Sequence, residues 1–271
     1  MLTLTLFQVD AFTDRLFGGN PAAVLILDQP LSDTLMQSIA LENNLSETSF
    51  VVKRQDGAWD LRWFTPTLEV GFCGHATLAA AHVLAHHHKL KGTLAFHTQA
   101  GPLYVTAFDT GLYQMDCPVV PEQPVVNPPA IFNRLFPKGF INLVVAGDDV
   151  ILKNYIVELA NEDAVTSYVP DAAAITALHP AGLAITAQGD NCDFVSRYFV
   201  PGYGIPEDPV TGSLQAALTP YWGKRLGKTR LKAIQRSART GHIDCELTGD
   251  RVLLYGGAVT YLEGTILLPV E

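Results

Sequence analysis

Arg62-Trp63-Phe64-Thr65-Pro66, followed by Cys73-Gly74-His75 and a run of Ala and Leu, returns later in this chain as Arg197-Tyr198-Phe199-Val200-Pro201, followed by Thr211-Gly212-Ser213 and another Ala/Leu run. The offset is 135 residues from Arg62 to Arg197 and 138 from Cys73 to Thr211, so the second copy carries three extra residues between its motifs. Self-similarity across half a chain marks two homologous lobes. Lobes related by a pseudo-twofold would bring the two glycine turns face to face, and ligand clefts favour domain interfaces. The sequence therefore directs attention to a cleft between the lobes.

With 271 residues, 48% of them hydrophobic, the chain is long and apolar enough for two compact domains of roughly 130 residues each. Asp and Glu number 27 against 18 Lys and Arg, a net charge of −9 that repels phosphate backbones and anionic membranes. Neither nucleic acid nor membrane is expected as a partner. A small anionic substrate stays compatible, because a local site can be positive inside an acidic protein. Cys73, Cys117, Cys192 and Cys245 are scattered, with no CxxC pair, which fits a reduced, cytoplasmic location. Residues 1–10 alternate apolar with polar, a strand signature without the basic start of an export signal.

Strands are expected at Leu2–Val9, Ala22–Leu27, Ser49–Val52, Leu61–Phe64, Thr93–His97, Leu103–Phe108 and Leu112–Met115, the last three joined by turns short enough for an antiparallel meander. Ser32 to Asn43 spaces Leu35, Met36, Ile39 and Ala40 along one helical face, with Ser32 as N-cap and Asn43-Asn44 as stop. Ala76 to Ala85 is apolar on nearly every side and must be a buried helix. Its counterpart starts at Leu214, and Pro220 should kink or end it. Five prolines between Pro118 and Pro129 read as a linker. The division expected is 1–120 and 121–271, with the final strand returning to the first lobe. The fold class is α+β: two pseudo-symmetric lobes, each an antiparallel sheet or barrel wrapped around a central helix.

Both buried helices begin right after a small-residue turn, where unpaired backbone N–H groups and the positive end of the helix dipole can hold a carboxylate. For one such turn, glycine merely permitting a tight bend is a sufficient explanation. The duplication favours a ligand.

Gln8-Val-Asp-Ala-Phe-Thr13, Phe17-Gly-Gly-Asn-Pro-Ala-Ala-Val24, Asn44-Leu-Ser-Glu-Thr48, Gly71-Phe-Cys-Gly-His-Ala-Thr77, Glu207-Asp-Pro-Val-Thr-Gly-Ser213 and Gln235-Arg-Ser-Ala-Arg239 together resemble the phenazine biosynthesis PhzF-like family, in order and over most of the chain. The resemblance implies the diaminopimelate epimerase-like fold, a cofactor-free and metal-free active site between the lobes, and a homodimer. It implies Glu47 as general acid/base, assisted by His75 and Asp208, with Asn20, Ser46, Cys73, Gly74, Thr211, Gly212 and Ser213 contacting the substrate. Without it, Glu47 would be read as a solvated residue between a helix stop and a strand, His75 as a satisfied buried histidine, and Asp208-Pro209 as a turn.

Epimerases of the same fold exchange a proton between two facing cysteines, but here Cys73 is answered by Thr211. A threonine hydroxyl is too weakly acidic to replace a thiolate, which points to one-base isomerisation. Two departures from the family pattern, Leu214-Gln215 and Arg239-Thr-Gly241, bear on substrate identity. His86-His87-His88 do not converge on one helix face and read as a solvated helix end. Phe17-Gly18-Gly19-Asn20 lacks dinucleotide spacing, and no hydrolase elbow or His-Glu-x-x-His occurs. The expected activity is therefore an isomerase moving a proton within a small cyclic or unsaturated carboxylic acid. An amino-acid epimerase or racemase pairing Glu47 with Cys73, and a non-catalytic ligand-binding protein, are the alternatives.

Overall fold

Leu2–Ala11, the alternating stretch at the start of the chain, is strand β1 of a computed structural model that describes residues 2–147 and 153–268. The chain divides into two units, Met1–Asp116 with Leu254–Glu271, and Cys117–Leu253. In the first unit β1 is followed by β2 (Asn20–Leu27), α1 (Asp33–Asn43), β3 (Glu47–Lys53), β4 (Trp59–Phe64), β5 (Glu69–Val70), α2 (Gly74–His86), β6 (Gly92–Thr98), β7 (Gly101–Ala107) and β8 (Leu112–Pro118). Pairing is antiparallel for β1–β2, β3–β4, β4–β5, β6–β7 and β7–β8. The expected meander is present. Two pairs are parallel, β2–β3 across α1 and β4–β6 across α2, because a helix long enough to cross the sheet returns the chain in the same direction.

Helix α1 starts where the sequence indicates: Leu35 N–H donates to the Ser32 hydroxyl at 3.4 Å, and Asn44 closes the helix in the left-handed region at φ 50°. Its Met36, Ile39 and Ala40 join Leu25, Leu27, Phe50 and Phe64 in one apolar cluster. Helix α2 is buried without interruption from Gly74 to Leu84 and packs on β1, β2, β3 and β7. Helices on both faces explain why β2 reads as a nearly continuous apolar run from Pro21 to Leu27 instead of alternating.

The second unit repeats this order. It contains β9 (Glu122–Pro124), α3 (Ile131–Leu135), β10 (Asn142–Ala146), β11 (Asn154–Glu158), α4 (Glu162–Thr166), α5 (Ala172–Thr176), β12 (Gly182–Gln188), β13 (Phe194–Val200), β14 (Ile205–Asp208), α6 (Gly212–Leu226), β15 (Arg230–Gln235), β16 (Gly241–Thr248) and β17 (Arg251–Leu268). Strands β10 to β16 pair as β1 to β7 do, with β11–β12 and β13–β15 parallel and the remainder antiparallel. From Ala258 onward β17 pairs with β1, within the first unit. The arginine heading each sequence repeat has one job in both units. Arg62 grips Glu69 through two bonds of 2.7 Å, and Arg197 grips Glu207 at 2.8 and 2.9 Å, each fastening the short strand that leads into the buried helix. The three extra residues of the second copy fall in the turn before β14, where Pro201–Tyr203 forms one 3-10 turn.

Two expectations are corrected. The proline-rich stretch is not a bare linker, since Glu122–Pro124 pairs with β10. Of the two outcomes expected at Pro220, a kink or a stop, the stop does not occur, since the helix continues to Leu226. Proline leaves the carbonyl four residues earlier without its helical donor, and here Val120 N–H supplies one, donating to Ala216 O at 3.0 Å. Among the described residues, no helix is long and apolar enough to cross a membrane.

His86 and His88 are exposed, as a solvated helix end requires, but His82 one turn earlier is buried. Its Nδ1 lies 3.0 Å from Tyr113 Oη and its Nε2 2.9 Å from Thr260 Oγ1. Burial, helped by the neighbouring His86 and His87, depresses His82 to about 4, while Glu263 faces His87 at 3.6 Å. Between the unfolded value of about 6.5 and 4, only the unfolded chain takes the proton. His82 therefore contributes about 3 kcal/mol above pH 6.5 that is lost as pH falls toward 4. Unfolding midpoints of wild type and His82→Gln at pH 7 and pH 4.5 should show a steeper loss in the wild type; equal losses would remove this account.

Candidate active site

The parallel register of β2 and β3 sets Ala22 beside Glu47, so Asn20 and Ser46 lie close together at the same strand ends. Helix α2 is fastened above them at its first turn, where Ser49 of β3 donates to Ala76 O at 3.1 Å and Thr77 to Cys73 O at 2.5 Å. Its second residue, His75, thereby reaches the start of β3. The result is a cluster of Asn20, Glu47, Cys73 and His75, all buried, with the half-buried Ser46 at its edge; Glu47 is 8% and His75 4% exposed.

Within it Ser46 Oγ donates to Asn20 Oδ1 at 3.3 Å, and Asn20 Nδ2 donates to His75 Nδ1 at 3.0 Å. On the other edge of the ring, Nε2 is 2.9 Å from Glu47 Oε2. That oxygen lies off the line of the ring N–H and has no hydrogen-bond partner among the described residues. Cys73 Sγ sits 3.5 Å from Nδ1 and 4.0 Å from Nε2. Burial works against a charged His75, but Cys73 and the Glu47 carboxylate beside it outweigh burial and hold its titration well above the usual histidine range. The Asn20 amide suits either state of the ring, since turning it over offers Oδ1 to a protonated Nδ1 while Ser46 donates or accepts equally well. Burial, with Glu47 adding to it, pushes the Cys73 thiol up to about 11. At neutral pH Cys73 is a thiol and lacks the charge that a proton-abstracting cysteine needs.

Asp208, Thr211, Gly212 and Ser213 belong to the second unit and form a group of their own. Asp208 ends β14, and its Oδ2 accepts from the Thr211 hydroxyl at 2.5 Å. Beneath them lies Gln235 at the end of β15, fully buried. Its Nε2 donates to Asp208 O at 2.7 Å and to Thr211 Oγ1 at 3.2 Å, and its Oε1 accepts from Thr211 N–H at 2.9 Å. That last bond occupies one backbone donor at the start of α6. Neither Cys73 nor Thr211 caps its helix through its side chain.

Sequence reasoning names the members of both groups but not Gln235 as the clamp of the second turn. The one signal for it is its place at the head of Gln235-Arg-Ser-Ala-Arg239. The arginine–glutamate grips also leave a trace in the sequence, because Arg62 and Arg197 repeat and Glu69 and Glu207 follow at the spacing that the three-residue insertion predicts.

A family model described as phenazine biosynthesis-like protein matches residues 9–264. An uncharacterized isomerase of Pseudomonas aeruginosa is 46% identical over 98% of this chain and 100% of its own length. The crystal structure of a phenazine biosynthesis protein of the PhzF family from Enterococcus faecalis matches with a TM-score of 0.91 and 40% identity, covering 98% of this chain and 100% of that one. A probable proline racemase from Agrobacterium radiobacter K84 matches with a TM-score of 0.71 over 99% of this chain and 93% of its own. At 14% identity, that likeness concerns the fold alone.

Proposed function

Because this chain belongs to the phenazine biosynthesis-like protein family, we propose that it is an isomerase that moves a proton within a small cyclic or unsaturated carboxylic acid by cofactor-independent acid/base chemistry, with Glu47 as the base. The observation that carries this reading is the buried Glu47 carboxylate, whose Oε2 lies 2.9 Å from His75 Nε2 but makes no aligned hydrogen bond among the described residues. A buried carboxylate oxygen whose one neighbouring charge is not aligned as a hydrogen-bond donor keeps a lone pair for a proton taken from a substrate carbon. Glu47 accepts that proton, becomes a carboxylic acid and returns it at a second carbon of the same molecule. His75, held through Nδ1 by Asn20 and Ser46, steadies the carboxylate and answers its changing charge. Backbone N–H groups around Gly74, at the positive end of α2, are suited to the substrate carboxylate and to enolate-like charge developing beside it. Asp208, Thr211, Gly212 and Ser213 enter through the family motif alone, Asp208 as a further acid/base and the others as substrate contacts.

Incubation in D₂O with a panel of small cyclic and amino-acid-like carboxylates, trans-2,3-dihydro-3-hydroxyanthranilate among them, should give deuterium uptake at carbon, read by mass spectrometry. Binding of panel members without any exchange would favour a ligand-binding protein instead. Asp208→Asn keeps an acceptor for Thr211 but removes a titratable group, and on a substrate that exchanges it should slow exchange tenfold or more. An unchanged rate would confine Asp208 to holding the turn.

A further inference from the structure

The two units differ in how their first parallel pair of strands is joined. In the first, residues 28–32 lead from β2 to α1, whereas in the second residues 159–171 lead from β11 to α5 and hold the additional helix α4. Strand register shows what α4 covers. Phe50 faces Arg62 and Val52 faces Asp60 across β3 and β4, as Ile185 faces Arg197 and Ala187 faces Val195 across β12 and β13. His97 lies beside Asp60 as Ile234 lies beside Val195, which makes Gln99 the counterpart of Arg236. The second-unit residues hold α4. Arg236 bonds Glu162 Oε1 at 2.6 and 2.7 Å, and Arg197 donates to Tyr168 O at 2.6 Å and Val165 O at 3.2 Å. Val165 itself packs in the cluster that contains Ile185, Ala187 and Val195. In the first unit the counterparts line an open cleft of about 400 Å³. We propose that this cleft docks one helical turn of a partner protein, basic where α4 is acidic.

Shape and charge both bear on the occupant. The cleft lies within the usual size range of binding sites, and its Met36, Phe50 and Val52 offer an apolar residue the kind of floor that Val165 has in the second unit. Arg62 can serve an occupant's carbonyls as Arg197 serves those of α4. Its Nη1 meets Asp33, a side chain 79% exposed, in a surface pair that costs little to exchange. In the second unit Glu162 meets Arg236 and Glu207 meets Arg197, two carboxylates for two arginines once α4 is in place. The first unit has Gln99 where the second has Arg236, and Asp60 where the second has Val195. Around its cleft Asp33, Asp56, Asp60 and Glu69 pair with Arg54 and Arg62, four carboxylates against two arginines. An acidic turn such as α4 would be repelled there. A lysine or arginine standing where α4 has Glu162 would be attracted, with Asp60 as its nearest carboxylate on the cleft wall.

Two peptides spanning residues 160–170, acetylated and amidated, serve as probes, one native and one carrying Glu162→Lys. The seat in the second unit is already filled by α4, so only the first-unit cleft is open to them. Added to the isotope-labelled full chain, the lysine peptide should shift the amide resonances of Val52, Asp60 and Gln99. The native peptide should bind about fivefold or more weakly. Asp60→Val/Gln99→Arg gives the cleft the residues of the second unit, at positions that are half-buried and exposed, and should reverse that order. Val52→Trp, which fills the cleft, should abolish both sets of shifts. A lysine peptide that leaves these amides unmoved overturns the docking site, and so does binding that survives in a Val52→Trp protein of unchanged melting temperature. An order of affinities that stays the same in Asp60→Val/Gln99→Arg overturns the basic occupant.

Discussion

Glu47→Gln is expected to slow carbon-bound hydrogen exchange by roughly 10² to 10⁴-fold, a barrier increase of about 3 to 5 kcal/mol, while the protein stays folded. Glutamine has almost the shape of glutamate, so the start of β3 and its register with Ala22 are undisturbed. What disappears is the basic lone pair of an oxygen that makes no aligned hydrogen bond among the described residues, along with the charge that faces His75. Folding should tolerate the change, since a buried carboxylate without a hydrogen bond on one oxygen is replaced by a neutral amide. Ligand affinity should fall less than turnover, because the carboxylate-holding N–H groups at the start of α2 are untouched. Glu47→Asp supplies the complementary result: it keeps the charge but withdraws it by one methylene, and should lie between wild type and Glu47→Gln. Near wild-type exchange in Glu47→Gln, with a true substrate and an unchanged melting temperature, would remove Glu47 from the role of base.

Elements that rest on local signals and elements that rest on distant partners show what a sequence can and cannot disclose. Ser32, Asn44 and the spacing of Met36, Ile39 and Ala40 are local signals, so α1 is legible to within a residue from the sequence alone. The apolar run after Gly74 demands burial on all sides, and α2 has it. The effect of Pro220 escapes such reading because it depends on a donor from another element: the Ala216 carbonyl is served by Val120, nearly a hundred residues away in sequence. Gln235 is hidden for the same reason, since its three bonds reach back to Asp208 and Thr211 from the end of a different strand. The meeting of Glu47 with His75 is the extreme case, because strand register and helix placement bring the start of β3 to the first turn of α2 and no spacing along the chain announces that pair.

Gly19→Ala should be the most damaging of the small-to-small substitutions near the site, lowering stability by about 3 kcal/mol. Gly19 sits at φ 61°, where a side chain is already unfavourable, and an added Cβ would stand 2.1 Å from the Ala11 carbonyl oxygen and 2.9 Å from the Thr13 methyl. Backbone cannot yield as a flexible side chain would, so the turn between β1 and β2 must open. The neighbouring Gly18 differs: its φ is not in the left-handed region and its nearest contact is a side-chain atom, the Thr13 hydroxyl at 2.7 Å, and not backbone. Gly18→Ala is therefore the milder control. The cost at Gly19 extends beyond stability because the next residue is Asn20, whose amide links Ser46 to His75. A turn that opens moves this amide away from Nδ1 and frees the ring to rotate off Glu47. Thermal unfolding should show Gly19→Ala well below Gly18→Ala, and the His75 ring resonances should shift in the first variant and remain in place in the second. Equal melting temperatures would mean that the turn relaxes without strain, and Gly19 would then be replaceable.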